Sequence, residues 1–306
     1  MGQARRDLRG LARLHPAQGG AAHGPADRAE PARAPAAARL PLAAARPLPA
    51  AEGPVTSMSP GLLLALAAAG LAVLSMPIYA WRGGGPDADV RRKGSTFLLG
   101  AGDFLLHWFM WVLSPVERLA LGLGLGPDVF NLLGLGLGAL SGGLIAAGRF
   151  EPGGVAIVLG GACDVLDGRV ARAREVDSRY GMFIDSTLDR FVEVFVLLGF
   201  VFALRGFAYG PAIAAAALAG SLLVSYARAR GEAVGAPGKE GLMQRAERLV
   251  LICLACFLDR PLSARLGRPP GFASQWVLGL LAIASLATAA YRTFSIARRL
   301  KAGEKR

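Results

Sequence analysis

Twenty consecutive residues, Val129 to Gly148, carry no charge. At 1.5 Å per residue a helix of that length spans about 30 Å, the thickness of a bilayer's hydrocarbon core. Other long apolar runs accompany it, and the chain as a whole is 53% hydrophobic with a mean hydropathy of +0.43. A lipid environment leaves two ways to satisfy backbone polar groups, helices or closed barrels. Continuous apolar runs, rather than short alternating ones, select helices. The reading is an all-α integral membrane protein.

Periodicity divides the chain further. Residues 1–57 are rich in Ala, Pro and Arg and lack a hydrophobic period, so they read as a disordered leader. They also lack the apolar core of a signal peptide. Met58 precedes the apolar run 61–81 at once, which suggests a start at that methionine. Residues 58–95 are expected to hold an extra N-terminal transmembrane helix at 61–81, then a loop with Arg91, Arg92 and Lys93. Residues 96–306 form the main domain. Within it, Thr96 to Leu121 is aromatic but broken by Asp103, His107, Pro115, Glu117 and Arg118, and reads as an amphipathic lead-in helix lying on the membrane surface, followed by a linker. Six core helices are expected at about 129–148, 153–174, 180–205, 209–231, 243–258 and 274–299.

The net charge of +12 raises the question of nucleic acid, but no nucleic-acid motif is present. The basic residues sit between apolar runs. Arg169, Arg172, Arg174 and Arg179 flank one turn; Arg228, Arg230, Lys239, Arg245 and Arg248 flank another; Arg292, Arg298, Arg299 and Lys301 close the chain. The opposite loops hold fewer. The excess marks the cytoplasmic side. Cys163, Cys253 and Cys256 lie in apolar segments and read as packing residues. Gly134, Gly138 and Gly142, spaced by four, give one helix a face that permits close approach, suited to packing within the bundle or to a dimer.

Chemistry concentrates between Asp164 and Asp189. Asp164 and Asp167 are spaced i,i+3, and Asp185 and Asp189 i,i+4, so each pair shares a helix face. Two helices joined by a turn aim both pairs into one space. Carboxylates so gathered repel one another unless cations hold them, and oxygen-only ligands favour Mg²⁺ or Mn²⁺. Acidic groups in apolar helices are costly and mark function. A cation-binding transporter is one such function. Gly168, Ala171 and Gly181 argue instead for a ligand lying flat against the backbone, a nucleotide beside metal-held phosphates.

The pattern D-x2-D-G-x2-A-R-x8-G-x3-D-x3-D resembles the signature of the CDP-alcohol phosphatidyltransferases at all eight positions: Asp164, Asp167, Gly168, Ala171, Arg172, Gly181, Asp185 and Asp189. The resemblance covers roughly residues 100–300. Near the first core helix the family often shows Pro-Asn and a threonine, where this chain has Pro127-Asp128 and Asn131. It implies a six-helix core with its cavity open to the cytoplasm, in the inner membrane of a bacterium, and a homodimer. It implies that an alcohol attacks the lipid-side phosphorus of CDP-diacylglycerol and releases CMP. Asp164, Asp167 and Asp185 would hold two divalent cations, Mg²⁺ or Mn²⁺. Asp189 would join them and act as general base. Asp164, Gly168, Ala171, Arg172 and Gly181 would contact the CDP group.

The acceptor is expected to be a small phosphorylated alcohol. Asp185-Ser-Thr-Leu-Asp189-Arg190 and Ser225-Tyr-Ala-Arg228-Ala-Arg230-Gly-Glu232 are similar to stretches of the phosphatidylinositol-phosphate synthases. So is Gly241-Leu-Met-Gln-Arg245-Ala-Glu247-Arg248. Forked guanidinium groups suit phosphate, which makes Arg228, Arg230, Arg245 and Arg248 the expected acceptor contacts. Inositol 1-phosphate is the favoured acceptor and glycerol 3-phosphate the alternative. Lysine is usual in that branch where Arg228 stands, and aspartate where Glu193 stands; Glu193 is expected to pair with a basic residue of a neighbouring helix.

Overall fold

The computed structural model describes residues 70, 74–81, 103–176, 178–237, 241 and 243–303. The leader 1–57, the basic loop and most of the 61–81 helix lie outside these residues. Residues 74–81 are helical. The remaining described helices are α1 (Asp103–Gly122), α2 (Pro127–Ala146), α3 (Phe150–Ala173), α4 (Arg179–Ala203), α5 (Gly210–Ala233), α6 (Arg245–Arg265) and α7 (Phe272–Gly303). A 3₁₀ turn, Leu204–Gly206, follows α4. Among the described residues, α2, α5 and α7 are both long and apolar enough to cross a membrane. The helices α3, α4 and α6 are of similar length, at 24, 25 and 21 residues, but carry the charges of the site and its supports.

Local chemistry fixes several boundaries. Pro127 opens α2, with Asp128 in its first turn, where a carboxylate favours the positive end of the helix. Ser178 caps α4 by accepting a hydrogen bond from the Gly181 amide at 3.0 Å. Pro152 falls inside the first turn of α3, where no intrahelical N–H bond is lost, so the helix starts at Phe150 rather than 153. The linker expected to end the Thr96–Leu121 segment is instead continuous helix, running through Pro115 to Gly122. Proline cannot supply the amide that would bond to the Trp111 carbonyl, and the Ser114 hydroxyl donates to that oxygen at 2.8 Å instead. The helix α6 runs past its expected end, through Pro261 to Arg265.

The core lies where α2 to α7 meet. Leu197, Phe200, Ile145, Ile157, Ile252, Leu278 and Leu281 are all buried there, and Phe150 stacks on Phe200 with centroids 5.8 Å apart. The glycine-spaced face of α2 points into the bundle. A Cβ on Gly138 would lie 2.7 Å from Val192 Cγ2 of α4, and one on Gly142 would meet the Phe195 backbone. Close helix approach therefore serves internal packing here.

The helix α1 packs on α2 and α3 through Leu113, Ala120, Phe130, Leu166 and Val170. Its aromatic side is not left wholly to lipid. Trp108 Nε1 donates to Ser75 Oγ at 2.8 Å, and the Tyr79 ring meets Phe104 and Trp111, each at 5.7 Å between centroids. Glu117 accepts from Arg169 Nε at 2.5 Å, which ties α1 to α3 beside the aspartate motif.

A second polar knot closes the turn between α6 and α7. Asp259 is fully buried and accepts from the Gly271 and Ser274 amides at 2.7 and 2.9 Å and from Ser274 Oγ at 2.8 Å. It caps the first turn of α7, whose amides have no helical partners of their own.

Candidate active site

The turn between α3 and α4 reverses the chain so that the C-terminal half of α3 lies beside the N-terminal half of α4. Asp164, Asp185 and Asp189 each bring one carboxylate oxygen within 4.8 Å of the others. Asp167, one turn beyond Asp164, is 6% exposed and lines the same cleft as Asp164 and Asp189. The cleft continues between α2 and α3 along Asn131, Gly134 and Gly160. It thus joins charge at one end to an apolar wall at the other.

Three ionised carboxylates at this separation, partly withdrawn from water, repel strongly. Arginines supply counter-charge directly. Arg245, the first residue of α6, donates through Nη1 to Asp164 Oδ2 at 2.7 Å, and its Nη2 pairs with Asp189 Oδ1. Arg190 Nη1 lies 3.9 Å from Asp189 Oδ2. The donor set, carboxylate oxygens from two helices converging on one point, fits a hard divalent cation. Arg245 sits where positive charge is needed.

The expected nucleotide contacts lie on the turn below. Gly168 leaves room that Arg172 uses: a Cβ there would stand 3.1 Å from Arg172 Nη1. The guanidinium therefore folds back over Gly168, on the same helix as Asp164 and Asp167. Gly181 sits in the first turn of α4 with only the Ser178 hydroxyl near the position of a Cβ, at 3.4 Å. Ala171 lies on α3 between Gly168 and the turn.

The four expected acceptor arginines occupy different surroundings. Arg245 lies among the aspartates, as described. Arg228 is exposed and paired with Glu232 on its own helix at 3.0 Å. Arg230 is exposed near the end of α5. Arg248 departs from expectation. It is 3% exposed, and Nε and Nη2 both donate to Glu193 Oε1, at 2.9 and 2.6 Å, while Nη1 donates to the Met243 carbonyl. Its charge is used to join α6 to α4. The spacing of Arg245 and Arg248 could not separate them, because i,i+3 residues lie on nearly the same face and only the depth of Glu193 divides their roles. Glu117 with Arg169, and Asp259, have no sequence signature, since their partners lie 52 and 12–15 residues away.

The fold and site together define an all-helical membrane protein with a carboxylate-lined cleft suited to cations. Residues 127–292 match the CDP-alcohol phosphatidyltransferase family, and the chain belongs to that family. It is 37% identical over 154 residues to the phosphatidylinositol phosphate synthase of Streptomyces avermitilis, covering 48% of this chain and 63% of that protein. The chain thus spans somewhat under two thirds of that relative. The structure is similar to that of Mycobacterium tuberculosis phosphatidylinositol phosphate synthase with CDP-DAG bound, with a TM-score of 0.53 and 28% identity, covering 60% of this chain and 93% of the other. The same mycobacterial enzyme in complex with manganese and citrate matches with a TM-score of 0.53 and 29% identity, covering 60% and 87%.

Proposed function

We propose that this protein transfers a phosphatidyl group from CDP-diacylglycerol to inositol 1-phosphate and releases CMP, with its site at the cytoplasmic face of a bacterial inner membrane. The observation that carries the reading is the convergence of Asp164, Asp185 and Asp189 from two helices beside an arginine. Family membership, the Streptomyces relative and the mycobacterial structure with CDP-DAG support the same reaction.

The aspartates Asp164, Asp167, Asp185 and Asp189 would hold two divalent cations, which when bound neutralise the pyrophosphate and its leaving phosphate. The manganese-containing mycobacterial structure supports this use of the cluster. Gly168, Ala171, Arg172 and Gly181 would seat the cytidine monophosphate part. Arg172 would turn from Gly168 toward its phosphate, trading an internal contact for a charge-assisted one. Asp189 would take the proton of the acceptor hydroxyl as that oxygen bonds to the lipid-side phosphorus. The bond from that phosphorus to the CMP oxygen breaks, and CMP leaves with the electron pair. Asp189 needs placement for this role more than unusual basicity, because it lies within one turn of Asp185 on a rigid helix. Arg245, Arg228 and Arg230 are the candidates to receive the acceptor phosphate.

Purified protein given CDP-diacylglycerol, Mn²⁺ and radiolabelled acceptors tests the proposal. Incorporation of inositol 1-phosphate with matching CMP release is expected. Incorporation of glycerol 3-phosphate alone would replace the acceptor and keep the reaction class. In the same assay Asp189→Asn should lose nearly all turnover while still binding CDP-diacylglycerol. Turnover near normal in that variant would refute the base assignment.

A further inference from the structure

Arg245 holds oxygens of the same carboxylates that a cation would need. Its guanidinium spans Asp164 and Asp189, two of the three aspartates that converge. A guanidinium fork and a divalent ion compete for the negative charge and lone pairs of those carboxylates. We infer that Arg245 is a tethered counter-ion of the metal site: it neutralises the aspartates before the metal arrives, and metal binding displaces it. The inference rests on the metal-site reading of the aspartates.

Three features make Arg245 exchangeable rather than fixed. It is the first residue of α6, and a cation at a helix N-terminus faces the positive end of the macrodipole, so its place there depends on the acidic groups around it. Its side chain is 34% exposed, whereas that of Arg248, one turn on, is 4% exposed and locked to Glu193. It directly follows the non-helical stretch Met243–Gln244, at the very edge of the helix. A displaced guanidinium remains on its stem beside the cations, which places it to bind the next anion to enter, the acceptor's phosphate. Metal loading and the freeing of an acceptor-binding group are then one event, and acceptor binding follows the metal.

The test uses the purified full chain in detergent, without nucleotide or acceptor, titrated with Mn²⁺ while free Mn²⁺ is read from its EPR spectrum. Removing a competing charge-assisted pair should tighten Mn²⁺ binding by Arg245→Gln about tenfold or more over wild type. Arg245→Lys keeps the charge but has no fork to span two carboxylates, so its affinity should fall between the two. In EDTA, Arg245→Gln should unfold at a lower temperature than wild type, and added Mn²⁺ should raise its midpoint more. Binding by Arg245→Gln equal to or weaker than wild type overturns the inference and leaves the metal site standing. Arg245→Lys at wild-type affinity also overturns it, because charge alone would then set the affinity. If Arg245→Gln does not fold, the lysine variant decides by the same comparison. Failure of wild-type protein to bind Mn²⁺, or binding untouched by Asp185→Asn, instead overturns the metal-site reading.

Discussion

The contact of α2 with α4 gives a test in which two adjacent glycines act as each other's control. Gly142 faces α4, and a Cβ there would stand 2.7 Å from the Phe195 carbonyl carbon and closer still to its oxygen. Gly143, the next residue, has nothing from the described residues of other elements within 4 Å of the same position. Ordinary contact begins near 3.4 Å, and the nearer carbonyl oxygen sets the demand, so Gly142→Ala must part the two helices by roughly 1 Å against a close-packed interior. The obstacle is backbone on both sides: a Cβ on Gly199 would in turn meet Gly142 Cα at 3.0 Å. No side chain can rotate aside, which puts the cost at the upper end of the about 1–3 kcal/mol typical of overpacking. For a domain of this size that is a fall of about 5–10 °C in unfolding midpoint. Gly143→Ala should leave the midpoint unchanged or raise it slightly, since alanine gains up to about 1 kcal/mol over glycine in helix propensity. Thermal unfolding of both variants in the same detergent is the assay. Equal midpoints for the two would refute the close-approach account of α2 and α4.

Other variants address the buried charges. Glu193→Gln and Arg248→Met should each destabilise by about 3–5 kcal/mol, because each leaves the other member charged and unpaired in the interior. The double variant Glu193→Leu/Arg248→Met should recover most of that loss, and a double variant no better than the singles would argue against the pairing. Asp259→Ala strands the Gly271 and Ser274 amides without an acceptor, and a cost of about 2–4 kcal/mol should appear as a lower unfolding midpoint. Chelation with EDTA should abolish CMP release, with activity restored by Mn²⁺ or Mg²⁺; full activity in EDTA would remove the cations from the reaction.

Much of this architecture is legible in the sequence because membrane helices and paired aspartates both announce themselves through spacing. The convergence of Asp164 with Asp185 and Asp189 follows from i,i+3 and i,i+4 positions on two helices joined by a short turn. The helix positions hold to within a few residues for α2 to α5. What the sequence hides is which of several like charges takes which partner. Arg245 and Arg248 differ by three residues and share a face, yet one reaches the aspartates and the other is buried against Glu193. Proline at 115 reads as a break because the compensating bond comes from the Ser114 side chain, a local event that no periodicity reports. Asp259 looks like an ordinary polar residue near a helix end until the turn to α7 brings two amides to it.

The cap made by Asp259 has a mechanical consequence. It lies fourteen residues along α6 from Arg245, about 21 Å at the helical rise. At that distant end the start of α7 is stapled to α6 by three hydrogen bonds to one carboxylate. At the other end the buried Arg248 locks α6 to α4 through Glu193, and one turn before it Arg245 joins α6 to α3 and α4 by more exposed ion pairs. The helix α6 is therefore pinned at both ends, and the least buried of these polar joints is the one made by Arg245 at the aspartates.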